Sequence, residues 1–270
     1  MTPSHAHDPD AEGLPLAYVL AADIGNTRIS LGVVQGETAY AQVSVAPGDR
    51  AALGELVKQM WEAMTPPRRV VACSVAPTSL EVFRQVVQEA IDEPVAVVGE
   101  DLPLPIAVGI PHPERIGTDR LCCAAAAYGR LQQECVVVDL GTAITVDCVS
   151  NEGVFLGGAI LPGMRMQARA LHEGTAKLPD VEPAEPEGVF GANTVEAIRS
   201  GIVAGVRGAV RSLVEAYATE LNQWPIVVTT GGDAALFGNP EGIVQAQAPP
   251  LCLLGVARAL YQSLVENDRP

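Results

Sequence analysis

The amino-acid sequence predicts an α/β protein built from two related halves, and two observations carry that prediction. The first is a pair of matching segments, YVLAADIGNTRISLGVV at 18–34 and VVVDLGTAITVDCV at 136–149. In each, an apolar run meets Asp, an apolar residue and Gly before strand-like residues resume, and Asp23 and Asp139 lie 116 residues apart in a 270-residue chain. The second is the alternation of short β-type runs with helical patterns along both halves. Together they indicate an internal duplication.

Strand and helix patterns alternate through the first half. Two β-rich runs flank the DIGNT turn and predict a hairpin, and apolar residues at helical spacing follow in RAALGELVKQMWEAM. Thr78 and Glu81 have capping-box spacing at the start of the next helix. The predicted elements are strands at 17–24, 28–35 and 39–45, a helix at 50–64, a strand at 70–75, a helix at 77–91, a strand at 94–99 and an Ala-rich helix ending at 129.

The second half restarts with the same strand, turn and strand order. Residues 180–190, DVEPAEPEGVF, are rich in Pro and Glu and predict a surface loop. The other predicted elements are a hairpin from 135, a strand at 154–163, helices at 163–173 and 194–222, a strand at 225–232, a short helix at 233–238 and a closing helix at 250–267. We therefore expect one half at 17–130 and the other at 131–270, after a disordered, polar tail at 1–16.

Composition excludes several classes of function. The formal net charge is −15, with 32 acidic against 17 basic residues, so the surface repels nucleic acid and anionic membranes. No apolar stretch reaches the roughly 20 residues of a membrane span, and the start of the chain is unlike a signal peptide. The six cysteines form no C-x-x-C pair. Reduced thiols and a cytoplasmic location are expected.

The two Asp-Gly turns are candidate phosphate sites. A tight turn with Gly at its bend exposes successive backbone N–H groups, which can hold a phosphate together with a threonine hydroxyl. An ordinary hairpin is the alternative for either turn alone, but the match between the two favours the functional interpretation. Asp23 and Asp139 would repel phosphate directly, so they are expected to face a cation. The candidate residues are Gly25, Asn26, Thr27 and Arg28 in the first turn, and Gly141, Thr142 and Ala143 in the second.

Two further motifs could complete a site. Gly231 and Gly232 end a strand and would let a flat ring or a ribose approach the backbone. In GTDR, at 117–120, Asp119 is either a helix N-cap or a general base beside an arginine that binds an anion.

The predicted helix at 194–222 could form a packing surface. Asn193 or Thr194 would cap it. Its small residues would permit close packing against a twin helix of a second subunit or, equally, within one subunit. The face expected to do so carries Gly201, Gly205 and Gly208 with Val206, Val210, Leu213 and Val214.

Taken together, these motifs resemble those of the type III pantothenate kinases, in the acetate and sugar kinase, Hsp70 and actin superfamily. The resemblance covers about residues 17–262. It rests on DIGNT, GTDR, DLGTAITVD, GGAILPG with TAKLP, NTVEAIRSG and TGGDA, in that order. It implies a duplicated ribonuclease-H-like (actin-like ATPase) fold, with two mixed-sheet halves flanking an active-site cleft. It also implies ATP-dependent phosphorylation of pantothenate, the first step towards coenzyme A.

The resemblance also implies roles for particular residues. Asp119 would be the catalytic base, and Asp139 would bind a monovalent cation, K⁺ or NH₄⁺, with Mg²⁺ accompanying ATP. A homodimer is implied, with pantothenate near the subunit interface. The implied ATP-binding residues are Asp23, Ile24, Gly25, Asn26, Thr27, Arg28, Ile29, Ser30 and Thr142, and the implied pantothenate-binding residues are Gly117, Thr118, Asp119, Arg120 and Thr194.

One segment departs from the family pattern. Many members carry Tyr-x-Asn-Pro just before the Gly-x-Asp-Arg motif, whereas this chain has Ile110, Pro111, His112 and Pro113. A tyrosine wall of the pantothenate pocket is therefore missing. Two alternatives stay open: a non-catalytic, nucleotide-binding regulatory relative, and a kinase of another small hydroxy acid.

Overall fold

Two mixed β-sheets form the framework in the computed structural model, which describes residues 17–239, 242–248 and 250–267. The tail predicted to be disordered, 1–16, lies outside the described residues. The first sheet has the order β3-β2-β1-β4-β5. Its strands are β1 Tyr18–Ile24, β2 Ile29–Gln35, β3 Thr38–Val45, β4 Arg68–Ser74 and β5 Val95–Val97.

The second sheet repeats this design. Its order is β11-β10-β7-β8-β9-β6. As β1 pairs antiparallel with β2 and parallel with β4, so β7 pairs antiparallel with β8 and parallel with β10. The repeat is what a duplication predicts. The strands are β6 Ala107–Val108, β7 Cys135–Leu140, β8 Ala143–Val149, β9 Val154–Pro162, β10 Ile226–Thr230 and β11 Ala246–Gln247.

Helices cover both outer faces of the two sheets and fill the space between them. Helices α1 and α2 pack on the outer face of the first sheet, and α4, α5 and α6 pack on the outer face of the second. Helices α3 and α7 share one apolar cluster with strand residues of both sheets, so they form the central layer. The helices are α1 Arg50–Ala63, α2 Pro77–Ile91, α3 Thr118–Leu131, α4 Met164–Glu173, α5 Thr194–Leu221, α6 Ala234–Phe237 and α7 Leu251–Asn267.

Alternation along the strands explains which side chains face the central layer. In β1, Leu20 and Ala22 face α1 and α2, whereas Val19 and Ala21 face α3 and α7. The backbone of a strand turns successive side chains to opposite faces, so Asp23 continues the inward-facing set. By the same rule Asp139 follows Val137 on the inner face of β7. Period-two alternation thus aims both turn aspartates into the space between the sheets.

The predicted α/β fold and its long elements are confirmed, and three details differ. Strands β6 and β11 have two residues each, too short to show period-two alternation, and they were not predicted. Helix α2 starts at Pro77 after Ala76, without a side-chain cap, so the capping box predicted at Thr78 and Glu81 is wrong. A proline suits the first helical position because it lacks the N–H group that a cap would satisfy.

The face expected on α5 is also divided differently. Val206, Val210 and Val214 are buried against the second sheet, whereas Gly201, Gly205 and Gly208 are exposed. The valines pack inside the subunit because the outer sheet surface is apolar. The division of the chain after residue 130 stays a prediction; β6, from the first segment, pairs with β9 in the second sheet. Among the described residues, no helix combines the length and hydropathy that a membrane crossing requires.

Candidate active site

The two Asp-Gly turns meet across the cleft between the sheets. The hydroxyls of Thr27 and Thr142 lie 3.0 Å apart, although 115 residues separate them in sequence. Each turn is closed by a glycine N–H that donates to a backbone carbonyl, Gly25 to Arg28 at 3.0 Å and Gly141 to Ala143 at 3.1 Å. The central hydroxyls and backbone groups of both turns therefore face one shared volume.

The residues flanking the first turn divide between the cleft and the core. Asn26, Thr27 and Arg28 are exposed at the turn itself. Ile24 and Ile29 are fully buried in the cluster with α1 and α2, so their side chains point away from the cleft. Ser30 is the cross-strand partner of Asp23, and its hydroxyl hydrogen-bonds to that of Ser44 at 3.0 Å. The isoleucines can contribute to a nucleotide site only through their backbone atoms.

Three aspartates repel one another within the cleft. Burial raises the pKa of Asp139 to about 7, and repulsion by Asp119 and Asp147 adds to the effect. Burial, followed by the neighbouring Cys73 side chain, raises the pKa of Asp119 to about 6, against a lowering by Arg120. The pKa of Asp23 is raised well above its usual value by burial, then by Cys73 and the other two carboxylates. Such a set of carboxylates favours the binding of cations.

The GTDR motif forms the entrance to α3. Gly117 is the N-cap, so the alternative in which Asp119 caps the helix is wrong; Asp119 lies in the first turn and accepts from the Arg120 N–H at 2.8 Å. The Thr118 hydroxyl exchanges hydrogen bonds of 3.2 Å with the backbone N–H and carbonyl of Ser74, at the end of β4. Thr118 thereby ties α3 to the first sheet and holds Asp119 beside Asp23.

Arg120 forms an ion pair with Asp147, a pair that the sequence did not predict. Its Nε lies 3.1 Å from both carboxylate oxygens of Asp147, and its Nη2 also contacts Asp147. Asp147 is 1% exposed, and the guanidinium lies over the Phe155 ring at 5.6 Å. A buried, bidentate pair of this kind orients the arginine. Strand alternation indicates the orientation of Asp147, since Asp139 and Asp147 lie on the same face of the β7–β8 hairpin.

Arg28 reaches from the first turn to the Gly-Gly motif of the second half. A Cβ atom on Gly232 would lie 3.4 Å from Arg28 Nη1. Burial raises the pKa of Asp233, and Arg28 acts against that rise. The TGGDA segment, between β10 and α6, therefore borders the same cleft as both turns.

The surroundings of Asp139 fit a bound cation. A Cβ atom on Gly231, where φ is +92°, would collide with Asp139 Oδ1 and with the backbone of Leu140. Only glycine accommodates both that backbone angle and the close approach. Asp139 thus packs its carboxylate against the bare backbone of Gly231 and has a raised pKa, and within the described residues no salt bridge joins it to an arginine or lysine. Hard cations bind at such oxygen donors.

Thr194 lies apart from the GTDR motif. It is the first residue of α5, which packs on the outer face of the second sheet, whereas α3 lies in the central layer. Thr194 is exposed, and the Asn193 side chain caps the helix by accepting from the Glu196 N–H at 3.0 Å. No hydrogen bond in the described part of the chain joins Thr194 to residues 117–120.

The departing segment before GTDR is ordered as a turn. Ile110 is partly buried beside the central cluster, and a Cβ atom on Gly157 would lie 3.6 Å from it. His112 has a φ of +61° and its Nδ1 lies 3.2 Å from Glu114. An aliphatic side chain therefore stands where the resemblance predicts a tyrosine.

Buried thiols behind Asp23 also escaped the sequence reasoning. Cys73 is the β4 register partner of Asp23, and its sulfur lies 3.7 Å from Asp23 Oδ1. Its sulfur also lies 3.5 Å from that of Cys252 on α7. No spacing pattern signals this, because the cysteines come from elements far apart in the chain.

Comparison with known proteins gives a consistent result. The chain matches the family model described as type III pantothenate kinase over residues 19–216. It is 37% identical over 251 residues to a type III pantothenate kinase of Dehalococcoides mccartyi, covering 90% of this chain and 97% of that one. It is 34% identical over 241 residues to the Akkermansia muciniphila enzyme of that name, with 89% and 97% covered.

Solved structures support the fold. A Campylobacter jejuni protein described as a conserved Baf family transcriptional activator superposes with a TM-score of 0.59 at 19% identity, covering 91% of this chain and 98% of that one. The ethanolamine utilization protein EutJ of Carboxydothermus hydrogenoformans gives a TM-score of 0.52 at 18% identity, with 91% of each chain covered. These neighbours have the actin-like ATPase fold, which the sequence analysis predicted.

Proposed function

We infer the function from one premise: the chain belongs to the type III pantothenate kinase family. It phosphorylates pantothenate in coenzyme A biosynthesis, using ATP with Mg²⁺. The observation that carries the assignment of the site is the 3.0 Å contact between Thr27 and Thr142, because it puts two phosphate-type turns against one volume beside Asp119.

The two turns hold the ATP phosphates. Phosphoryl transfer depends mainly on positioning and on stabilising charge, so backbone N–H groups and hydroxyls aimed at the phosphates are sufficient. Thr27 and Thr142 supply the hydroxyls, and Arg28 supplies a positive charge beside Gly232. Gly232, beside Arg28, lets the nucleoside approach the backbone.

Asp119 is the general base. It accepts the proton of the pantothenate hydroxyl as that oxygen bonds to the γ-phosphorus and ADP leaves. A pKa of about 6 keeps Asp119 mostly ionised at neutral pH and still basic enough to take the proton. The Arg120–Asp147 pair positions α3, and Gly117–Arg120 contact pantothenate.

A monovalent cation, K⁺ or NH₄⁺, binds at Asp139. Asp23, Asp119, Asp139 and Asp147 face only Arg120 and Arg28 as basic residues of these motifs, and ATP adds further negative charge. Close like charges are costly where the dielectric is reduced. When bound, the cation neutralises charge beside the phosphates, while the chain's own residues do the positioning.

A coupled assay of ADP release tests both the activity and the cation. Pantothenate is supplied in Tris buffer with Mg²⁺ alone, and K⁺, Na⁺ or NH₄⁺ is then added. We expect activity to rise with K⁺ and Asp139→Asn to abolish most of that rise. Equal activity without monovalent salt would contradict the proposed cation site. Absence of pantothenate-dependent ADP release would instead favour a regulatory, non-catalytic relative.

A kinase of another small hydroxy acid is the second candidate, because Ile110 replaces the tyrosine of many relatives. Its aliphatic side chain lies close to Gly157 and changes the wall before GTDR. A panel of hydroxylated carboxylic acids in the same assay separates the two candidates, since pantothenate should give the highest kcat/KM.

The active form is a homodimer. Val189 and Phe190 are 87% and 91% exposed, just before Thr194 on the chain. Val189 lines a groove of about 600 Å³ together with Ala204 and Gly208. Large exposed apolar side chains mark association surfaces. A second copy would cover them and would bring Thr194 towards its partner's pantothenate site.

Light scattering tests the assembly at micromolar concentration. A dimer of the 28.2 kDa chain is expected, and Phe190→Asp should shift the mass towards the monomer. Trp224→Asp, at another exposed aromatic residue, is the control that should stay dimeric. A monomeric wild type would contradict the proposal.

The reaction is expected in the cytoplasm, where all six cysteines, free in the structure, would stay reduced.

A further inference from the structure

Four buried cysteines meet directly behind Asp23. Cys73 comes from β4, Cys122 and Cys123 from α3, and Cys252 from α7. Helices α3 and α7 approach closely because Gly255 has no Cβ; one there would collide with the Cys122 backbone. This approach puts the Cys252 sulfur beside that of Cys73. The register of β1 and β4 in turn puts Cys73 beside Asp23.

The donor atoms have the spacing of a metal site. The sulfurs of Cys73 and Cys252 are 3.5 Å apart, Cys73 Sγ is 3.7 Å from Asp23 Oδ1, and all three donor atoms lie within 4.8 Å of one another. In a tetrahedral zinc site, with Zn–S near 2.3 Å and Zn–O near 2.0 Å, ligand atoms are separated by about 3.5–3.8 Å. Two of the three edges are therefore already formed.

We propose that Asp23, Cys73 and Cys252 form an inhibitory site for a thiophilic divalent cation such as Zn²⁺. The inhibitory part rests on the proposed function, in which Asp23 precedes the turn that holds the ATP phosphates. Two thiolates and one carboxylate make a three-ligand set, and the fourth position opens towards the cleft, as in zinc sites that retain water. Mg²⁺ prefers oxygen ligands and does not compete for the thiols.

Binding releases the two thiol protons to solvent, and the cation takes their place. The cation also relieves the repulsion that Asp23 receives from Asp119 and Asp139. Once it is a zinc ligand, Asp23 no longer faces the nucleotide, so inhibition follows from the same bond that holds the ion.

Direct binding is the first test, and it does not depend on catalysis. Co²⁺ is titrated into reduced, metal-stripped full-length protein, and absorbance from thiolate-to-cobalt charge transfer is recorded. We expect one equivalent with thiolate absorbance, displaced by Zn²⁺, with protons released. Cys73→Ala/Cys252→Ala should abolish it, and Cys135→Ala/Cys148→Ala, which removes two cysteines of the second sheet, should preserve it.

Inhibition is the second test. Zn²⁺ should inhibit ADP release by the wild type, with reversal by a chelator, and Cys252→Ala should need at least tenfold more Zn²⁺ for the same inhibition. Cys252→Ala also serves if the double variant fails to fold by circular dichroism. No thiolate absorbance, or equal zinc sensitivity in Cys252→Ala, would overturn the proposal. A wild type that binds Co²⁺ through thiolates but lacks kinase activity would refute the proposed function and leave the metal site.

Discussion

The turn after β1 and the turn after β7 have the same design but different lengths. In both, an inward-facing aspartate is followed by an apolar residue and a glycine whose N–H closes the turn. The first turn holds four residues between the paired Ile24 and Ile29, and the second holds three between Leu140 and Ile144. Arg28, whose carbonyl closes the first turn, stands where the second turn has Ala143, so only the first turn sends a cationic side chain across the cleft towards Gly232.

The two aspartates differ even more in their neighbours. Asp23 faces the Cys73 thiol, whereas Asp139 packs against the backbone of Gly231 and is repelled by Asp119 and Asp147. A duplicated backbone therefore produces two environments, one suited to soft ligands and one to a hard cation. Duplication preserves strand order and turn position, while substitutions on neighbouring elements decide the chemistry.

The largest expected effect is on kcat and concerns Asp119, which lies outside both turns. Asp119→Asn removes the proposed proton acceptor, and loss of a general base costs about 10²–10⁴ in rate. We expect kcat to fall by that factor while the affinity for ATP, measured by calorimetry, changes less than threefold. Near-normal turnover would reduce Asp119 to an acceptor for the Arg120 N–H.

The pH dependence sharpens the same assignment. Because burial raises the pKa of Asp119 to about 6, the base is ionised above that pH and protonated below it. Wild-type kcat/KM should decline about tenfold per pH unit well below 6. The residual activity of Asp119→Asn should lack this decline; an unchanged profile in the variant would assign the titration to another group.

Next in size is the contribution of each turn to phosphate binding. A hydrogen bond to a charged group contributes about 1.5–3 kcal/mol, so Thr27→Val and Thr142→Val should each lower kcat/KM for ATP by roughly 10–100-fold. Because the two hydroxyls touch, the double variant should lose less than the product of the single losses. Thr219→Val, on α5, is the matched control and should retain wild-type kinetics.

A smaller effect is expected for Asp139, on the free energy of unfolding. The pKa of Asp139 is raised from 3.8 to about 7, so the folded state binds more protons than the unfolded state between those values. Stability should therefore fall as pH rises through this window, and Asp139→Asn should gain about 1–3 kcal/mol at pH 8 without potassium.

Urea unfolding at pH 8 and pH 4 measures this difference for Asp139→Asn. Asp92→Asn, at the exposed end of α2, should leave the unfolding midpoint unchanged at both values. A loss of stability in Asp139→Asn at pH 8 would mean that its carboxylate is held by favourable contacts.

The smallest effect compares the glycines of the two turns. A Cβ on Gly25 would lie 3.2 Å from the Arg28 carbonyl, whereas one on Gly141 would lie 3.7 Å from its nearest neighbours. We expect Gly25→Ala to lower the free energy of unfolding by about 1 kcal/mol and Gly141→Ala by less than about 0.5. Urea unfolding of both variants checks the order, and the reverse order would show that the second turn is the tighter one.

Local physical rules let the sequence by itself determine much of this protein. Period-two and helical spacing predicted the long strands and helices because backbone geometry alone sets those repeats. The matching segments around Asp23 and Asp139 predicted the duplication and both turns. The same two segments singled out Asp23 and Asp139 as candidate cation-facing residues before any contact was known.

Tertiary structure alone decided which side chains meet. The Arg120–Asp147 pair, the thiols behind Asp23 and the outward-facing glycines of α5 arise where elements distant in sequence pack together. The two-residue strands β6 and β11 likewise exist only because a neighbouring strand pairs with them. Periodicity is a local property of a chain, whereas partner choice follows from the packing of the whole core, in which many weak contacts are satisfied at once.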